Sequence, residues 1–208
     1  MKIYRVEQGS TEWHGLRSGL PTASCFEKIM TPKTKKISTQ ATKYAYRLLA
    51  ERITGKPYID EKETDFMSRG TEMEAEARAW YTTVNGVELD RVGFVTDDAG
   101  TMGCSPDSLV GLDGILEVKC LGAPGHIGAI LGDAETYELQ IQAQMLICER
   151  AWCDRLYYHP DMPPVPQRIL ADADYHAAIR EALKAFEELL AGLSAKLIEL
   201  GCVPKVNK

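Results

Sequence analysis

The sequence predicts an α/β fold in which helices flank a mixed central sheet, with extra helices at the N- and C-terminal ends. Three observations favour this class. Apolar residues recur at helical spacing before the middle of the chain, three short strand-like segments follow one another there, and a helix and a further strand come next. The length of 208 residues fits one compact domain with additions.

The first part of the chain is predicted to be helical after a basic loop. Segment 31–39 combines Pro, Lys and Thr without apolar periodicity, which indicates an exposed loop. Apolar residues then recur at helical spacing over 39–54, and Gly55 ends that helix. A second amphipathic helix is predicted over about 68–85, and we interpret the acidic run 60–65 before it as a solvated loop.

Three strands are predicted in the middle of the chain. Segment 91–97 alternates between apolar and polar residues, 101–111 is broken by a proline, and 114–120 is rich in Ile, Leu and Val. Successive side chains of a strand point to opposite faces, so Glu117 and Lys119 share one face and the opposite face is hydrophobic. An acid and an amine therefore lie side by side, as they also do on a strand with a merely solvated side.

The remainder of the chain is predicted to continue the α/β order. A helix is expected over about 134–149 and a strand over 151–160. A proline-rich turn over 161–167 leads into a short strand over 168–172. A long amphipathic helix over about 174–200 closes the sequence.

The charge of the chain is unevenly distributed. The formal net charge of −6, from 24 Lys plus Arg and 30 Asp plus Glu, counts against a polyanionic partner. Residues 1–52, however, hold 10 basic and 4 acidic residues, a net of +6, which leaves 14 basic and 26 acidic residues, a net of −12, for 53–208. A basic N-terminal segment joined to an acidic remainder requires an explanation.

The composition carries no signal for export, a membrane or a thiolate metal site. No apolar run approaches the roughly 18 residues that span a bilayer, and the first residues lack the apolar segment of a signal peptide. The six cysteines form no C-x-x-C pair, which argues against a zinc ribbon or an iron–sulfur site. We expect a cytoplasmic protein with reduced, mostly buried thiols.

One motif combines the residue types that phosphodiester hydrolysis needs. Pro106-Asp107 is followed, after nine residues, by Glu117-Val118-Lys119. Carboxylates on adjoining strands can hold a divalent ion, and a lysine on the same face can orient or deprotonate the attacking water. Magnesium suits this set because it takes hard oxygen ligands and shares its coordination with phosphate. From the spacing alone, a turn aspartate with an exposed Glu and Lys remains equally open, although Glu74 offers a third carboxylate.

Five sequence blocks follow one another over about three quarters of the chain. They are EQGSTEWHGLRSGLPTAS (7–24), RGTEMEAEAR (69–78), CSPDSL (104–109), LEVKC (116–120) and YELQIQAQM (137–145). In their composition and order these blocks resemble the phage lambda-type (YqaJ-like) alkaline exonucleases of the PD-(D/E)xK nuclease superfamily. The resemblance implies a PD-(D/E)xK, restriction-endonuclease-like core with extra terminal helices.

The resemblance also implies roles for the residues of the central blocks. Asp107 and Glu117 would be magnesium ligands, together with the backbone carbonyl of Val118. Lys119 would position or activate the nucleophilic water. Glu74 would bind a second metal ion or its water.

Residues of the other blocks complete the site that the resemblance implies. Gln140 would lie near the metal and the nucleophile. Arg17, Ser24 and Ser105 match the residues that receive the terminal 5′-phosphate of the degraded strand, and a guanidinium is suited to bidentate phosphate contact. Met67 matches an apolar residue that wedges the duplex end open, although a packing role is as good an interpretation.

The activity that the resemblance implies is a Mg²⁺-dependent 5′→3′ exonuclease on double-stranded DNA ends, with Mn²⁺ as a substitute. Such an enzyme, bacterial or phage-encoded, would release 5′-mononucleotides, form a homotrimeric ring and work with a single-strand annealing protein. No nucleotide-binding G-x-x-x-x-G-K-[ST] loop is present, which favours ATP independence. The alternatives are a structure-specific or restriction-like endonuclease with the same core, or a non-catalytic DNA-binding protein.

The resemblance predicts one nuclease domain over 1–208. Its catalytic core would cover about 66–160. The basic N-terminal segment, about 1–55, would face DNA, and a C-terminal helix over about 174–200 would carry no matched motif.

Overall fold

A computed structural model describes residues 1–58 and 61–205 of the chain, with side chains described outside 61–72. The elements in chain order are β1 (Lys2–Tyr4), α1 (Thr11–Arg17), a 3₁₀ helix (Ala23–Lys28), α2 (Ala41–Thr54), α3 (Glu61–Asn85), β2 (Leu89–Asp90), β3 (Phe94–Thr96), β4 (Gly103–Cys104), β5 (Ser108–Val110), β6 (Gly114–Cys120), α4 (Ala123–Leu131), α5 (Glu138–Cys148), β7 (Trp152–His159), β8 (Met162–Leu170) and α6 (Ala173–Glu199).

The main sheet has five strands in the order β2-β5-β6-β7-β8. β6 pairs with β7 in parallel over its whole length, and every other pairing in this sheet is antiparallel. The parallel pair is possible because α4 and α5 make the long connection between the two strands. The central position of β6 places its polar residues in the middle of the molecule.

A second, three-stranded sheet has the order β1-β3-β4. The sequence did not predict β1, and it predicted a single strand in each of the segments 91–97 and 101–111. Instead, segment 101–111 divides at Pro106, with β4 in the small sheet and β5 in the large one. Proline has no N–H to donate to a ladder, so the chain leaves one sheet and enters the other there.

The main sheet is buried on both faces. The larger apolar cluster lies between the sheet and the helices α2, α5 and α6, and it includes Ile115 of β6. A smaller cluster packs α3 against the other face through Tyr81, Leu116 and Val118. The alternation predicted for β6 is therefore present, and Glu117 and Lys119 point toward the α5 side.

Four elements of the fold differ from the prediction. The helix predicted from about 68 begins at Glu61, so the acidic run lies largely in its first turns and not in a loop; acidic residues are favoured there by the helix dipole. α4 was not predicted, and α5 begins at Glu138 instead of about 134. The proline-rich turn is part of β8, where prolines are tolerated because β8 is an edge strand.

The cysteines are free, as predicted, but only half of them are buried. All six cysteines are free, and Cys104, Cys148 and Cys153 are buried. Across 1–58 and 61–205, no helix is both long enough and apolar enough to cross a membrane.

Candidate active site

Asp107 is fixed to the central strand by the backbone. It lies in the connection between β4 and β5, and its Oδ2 accepts a hydrogen bond of 2.6 Å from the N–H of Val118. Val118 belongs to β6, where its side chain is buried in the smaller apolar cluster. The motif spacing therefore brings Asp107 beside Glu117 and Lys119, as two antiparallel strands joined by a short turn require.

Glu117 is the most constrained of the acids. Its side chain is only 4% exposed, and three donors hold its carboxylate. Lys119 Nζ at 2.9 Å and Gln140 Nε2 at 2.7 Å donate to Oε1, and Gln144 Nε2 at 2.8 Å donates to Oε2. A carboxylate has about four acceptor positions, so one position remains for a cation.

Lys119 lies on the same face as Glu117, two residues further along β6. Its Nζ also donates to Gln140 Oε1 at 3.3 Å and lies 4.4 Å from the ring centroid of Tyr137. Burial lowers the pKa of the ammonium, but the charge of Glu117 and the hydrogen bond to it outweigh burial, so the pKa lies above its ordinary value. Lys119 is therefore a protonated donor in this arrangement.

Three carboxylates repel one another in this part of the molecule. Burial and the charges of Glu117 and Glu74 raise the pKa of Asp107 well above its usual value. Glu74 is partly exposed on α3 and forms an ion pair of 3.5 Å with Arg78, one turn further on. The site thus favours any cation that neutralises Asp107.

The donor set fits a magnesium ion. Asp107 and Glu117 supply hard carboxylate oxygens, and Glu74 adds a third negative charge that acts on Asp107. Among the described residues, no three His, Cys, Asp or Glu side chains converge closely enough to hold a metal unaided. Magnesium suits such an incomplete protein shell because it keeps several waters and binds substrate phosphate.

A second, cationic cluster includes Ser105, which lies two residues before Asp107 on the connection between β4 and β5. Arg17 Nη1 donates to Ser105 Oγ at 3.2 Å, and the guanidinium lies 4.2 Å from the ring centroid of Trp13. Trp13 Nε1 donates to the same Ser105 Oγ at 2.9 Å. Burial lowers the pKa of Arg17, and no carboxylate among the described side chains lies within ion-pair distance of it. A recessed cation without a carboxylate is suited to bind an anion.

Two predicted residues are not brought into these contacts. Ser24 is exposed in the 3₁₀ helix, and within the described part of the chain it has no hydrogen bond to Arg17 or Ser105. The side chain of Met67 lies outside the described residues.

Two contacts of the site were not predicted from the sequence. Gln144 stands one helical turn after Gln140, and this spacing puts both amides on one face of α5. The spacing is therefore the sequence signal that Gln144 could share the contact of Gln140 with Glu117. The second contact is made by Trp13, whose ring is buried. Its N–H also fixes Ser105, a contact over 92 positions that no local pattern reveals.

A family model describes most of this architecture. The model of the YqaJ-like viral recombinase domain matches residues 12–151, which include both clusters. The chain belongs to the YqaJ-like viral recombinase family. The resemblance inferred from the five sequence blocks is thereby confirmed.

Solved structures of similar proteins confirm the fold class. The crystal structure of an alkaline exonuclease, LHK-Exo from Laribacter hongkongensis, matches with a TM-score of 0.81 and 31% identity over 92% of this chain and 98% of that chain. The same protein in complex with dAMP matches with a TM-score of 0.82 and the same identity and coverage.

A phage-related exonuclease from Haemophilus somnus matches over 88% of this chain and 99% of that chain, with a TM-score of 0.65 and 14% identity, which bears on the fold alone. No curated protein sequence gives a significant match. The match to LHK-Exo shows that the YqaJ-like chain has the predicted α/β fold of PD-(D/E)xK type.

Proposed function

We propose that the chain is a Mg²⁺-dependent, ATP-independent exonuclease that degrades double-stranded DNA in the 5′→3′ direction and leaves a 3′ single strand for annealing. One observation carries the proposal: the connection between β4 and β5 holds both Ser105, which Arg17 contacts, and Asp107, which accepts from the N–H of Val118 beside Glu117. Family membership and the similarity to an alkaline exonuclease support the same activity.

The spacing of the two clusters favours release of mononucleotides. Ser105 and Asp107 are two residues apart on one connection, and extended chain covers about 7 Å in two residues. Neighbouring phosphates of a DNA strand are separated by a similar distance. A 5′-phosphate held by Arg17 would then place the next phosphate at Asp107, so that cleavage there would release one nucleotide.

The residues of the acidic site have complementary parts in hydrolysis. Asp107 and Glu117, with the carbonyl of Val118, would hold Mg²⁺, and Glu74 would bind a second ion or its water. Bound Mg²⁺ supplies charge for the scissile phosphate and lowers the pKa of a coordinated water. Lys119 keeps Glu117 oriented and, as an ammonium, directs a donor at the attacking water or the phosphate oxygen. Gln140 holds both Glu117 and Lys119 in place.

The basic front of the chain is proposed to carry the duplex. Lys33, Lys35 and Lys36 are exposed on the loop before α2, where phosphate contacts would weaken with salt. A ring of three copies around the DNA would make digestion processive, and a single-strand annealing protein would take up the 3′ strand. Light scattering after size exclusion tests the trimer, since a stable monomer would contradict it.

The decisive experiment is digestion of linear duplex DNA labelled separately at each end, with Mg²⁺, with Mn²⁺ and with EDTA. We expect release of the 5′ label first, as a mononucleotide, and only with a divalent ion. Closed circular duplex should remain intact. Cleavage of the circle would indicate an endonuclease with the same core, and no cleavage of any substrate would indicate a non-catalytic DNA-binding protein.

A comparison of ends tests the cationic cluster. A 5′-phosphorylated duplex should be degraded faster than the same duplex with 5′-hydroxyl ends, and Arg17→Met should remove that difference. Equal rates on the two ends with the unaltered chain would contradict the role of Arg17.

A further inference from the structure

The loop that precedes α5 is held by two side chains of β7. The guanidinium of Arg155 donates to the carbonyl of Thr136, and the hydroxyl of Tyr157 donates to the carbonyl of Glu135. Arg155 is only 4% exposed, and its other terminal nitrogen donates to Gln167. Two buried side chains thus fix consecutive carbonyls immediately before Tyr137.

Tyr137 has a backbone conformation that tyrosine rarely adopts. Its φ of 51° and ψ of 26° lie in the left-handed region, where a side chain with a Cβ is unfavourable. Lys35 and Glu149 are the other non-glycine residues with positive φ in the described part of the chain. The unfavourable conformation is maintained by the contacts of the preceding loop, and it presents the ring of Tyr137 to Lys119.

The ring contact complements the hydrogen bonds of the ammonium. An ammonium has three N–H donors, and in Lys119 two of them are taken by Glu117 and Gln140. The ring of Tyr137, 4.4 Å from Nζ, attracts the cation through its π face without accepting a conventional hydrogen bond. The third N–H therefore stays available for a water or a phosphate oxygen.

We propose that Tyr137 is a positioning residue for Lys119 and that Arg155 and Tyr157 hold it there. The ring fixes the direction of the ammonium while leaving one donor for the reaction. The inference rests on the proposed hydrolysis, because it is in that reaction that Lys119 would use this donor.

The test replaces Tyr137 with glycine, which accepts positive φ freely and removes the whole side chain. Because the ring also packs against the larger apolar cluster, the unfolding temperature of Tyr137→Gly is measured first to establish that the variant is folded. We expect kcat for linear duplex to fall about 10- to 100-fold with KM nearly unchanged. Tyr137→Phe keeps the ring and should restore kcat. Glu149→Gly is the matched control, since it relieves the same conformation at the far end of α5.

A spectroscopic measurement tests the contact without DNA or metal. With ¹³C at the ε position of lysine, the ε protons of Lys119 should resonate upfield because of the ring current, and Lys119→Arg identifies the signal. The shift should be lost in Tyr137→Gly and kept in Tyr137→Phe.

The outcomes separate this inference from the proposed activity. A shift that persists in Tyr137→Gly would overturn the contact, and unchanged kcat in that variant would overturn the positioning role. An unaltered chain that cuts no DNA would contradict the proposed activity instead, while the spectrum would still report on the ring.

Discussion

Gln144 allows the support of the acidic site to be separated from the stability of the fold. This residue is 1% exposed, and its Nε2 donates to Glu117 Oε2 at 2.8 Å, whereas its own Oε1 is buried without a hydrogen-bond partner in the described part of the chain. The perturbation is Gln144→Leu, which keeps the size of the side chain and removes both polar atoms.

The expected change in stability is small because two terms oppose each other. A hydrogen bond to a charged group contributes about 1.5–3 kcal/mol, and an unsatisfied buried acceptor costs about 1–3 kcal/mol. Gln144→Leu loses the first and relieves the second. We therefore expect the free energy of unfolding to change by about 2 kcal/mol or less.

The expected change in function is larger. Without Gln144, the carboxylate of Glu117 is held only at Oε1, by Lys119 and Gln140, and Oε2 is free to turn. Loss of such an outer contact weakens metal binding about 10- to 100-fold. The assay is the initial rate of duplex digestion against Mg²⁺ concentration, in which the half-saturating concentration should rise by that factor.

Gln142 supplies the control for Gln144. It is equally buried on α5, but its amide forms hydrogen bonds with Glu138, Leu170 and Asp172 and none with Asp107 or Glu117 in the described part of the chain. Gln142→Leu should cost about 1 kcal/mol for each hydrogen bond lost and leave the Mg²⁺ requirement unchanged. The reasoning fails if Gln144→Leu shows the Mg²⁺ dependence of the unaltered chain, or if both variants shift it equally.

Three further results are expected. Lys119→Ala should lower turnover about 10²- to 10⁴-fold and leave duplex binding intact, and near-normal turnover would rule out its role. Asp107→Asn should raise the unfolding temperature of the metal-free protein, because it removes a repelled charge and keeps an acceptor for Val118; a lower temperature would contradict the repulsion. The folded-state pKa of Asp107 is raised, so this carboxyl stabilises the fold at low pH and loses that contribution as pH rises through the folded pKa. Thermal melts should therefore show a larger gain in unfolding temperature from Asp107→Asn at neutral pH than at pH ~4.

The parts of the site that the sequence predicted depend on local geometry. The alternation of a strand places Glu117 and Lys119 on one face whatever surrounds them. A turn between adjoining strands then brings Asp107 to the same place. Trp13 and Ser105, by contrast, meet through the packing of distant segments, which no periodicity encodes.

The boundaries that were missed have physical reasons as well. The acidic run at the start of α3 lacks an apolar stripe, but Glu and Lys are good helix formers and acids suit a helix start. The beginning of α5 is set by the conformation of Tyr137, which depends on side chains of β7 that come later in the chain. From the sequence alone, the prolines of 161–167 indicate a turn. At the edge of a sheet, however, prolines fit an extended strand such as β8.

The prolines of β8 also bear on how copies of this protein can associate. Pro163, Pro164 and Pro166 deprive that edge of the main sheet of N–H donors, and β2, at the opposite edge, is only two residues long. Neither edge of the main sheet offers the long, uninterrupted ladder of hydrogen bonds that lets sheets join across subunits. Association of copies by extension of the main sheet is therefore disfavoured, and a ring of copies would rely more on surface side chains, which substitution can alter without disturbing any strand.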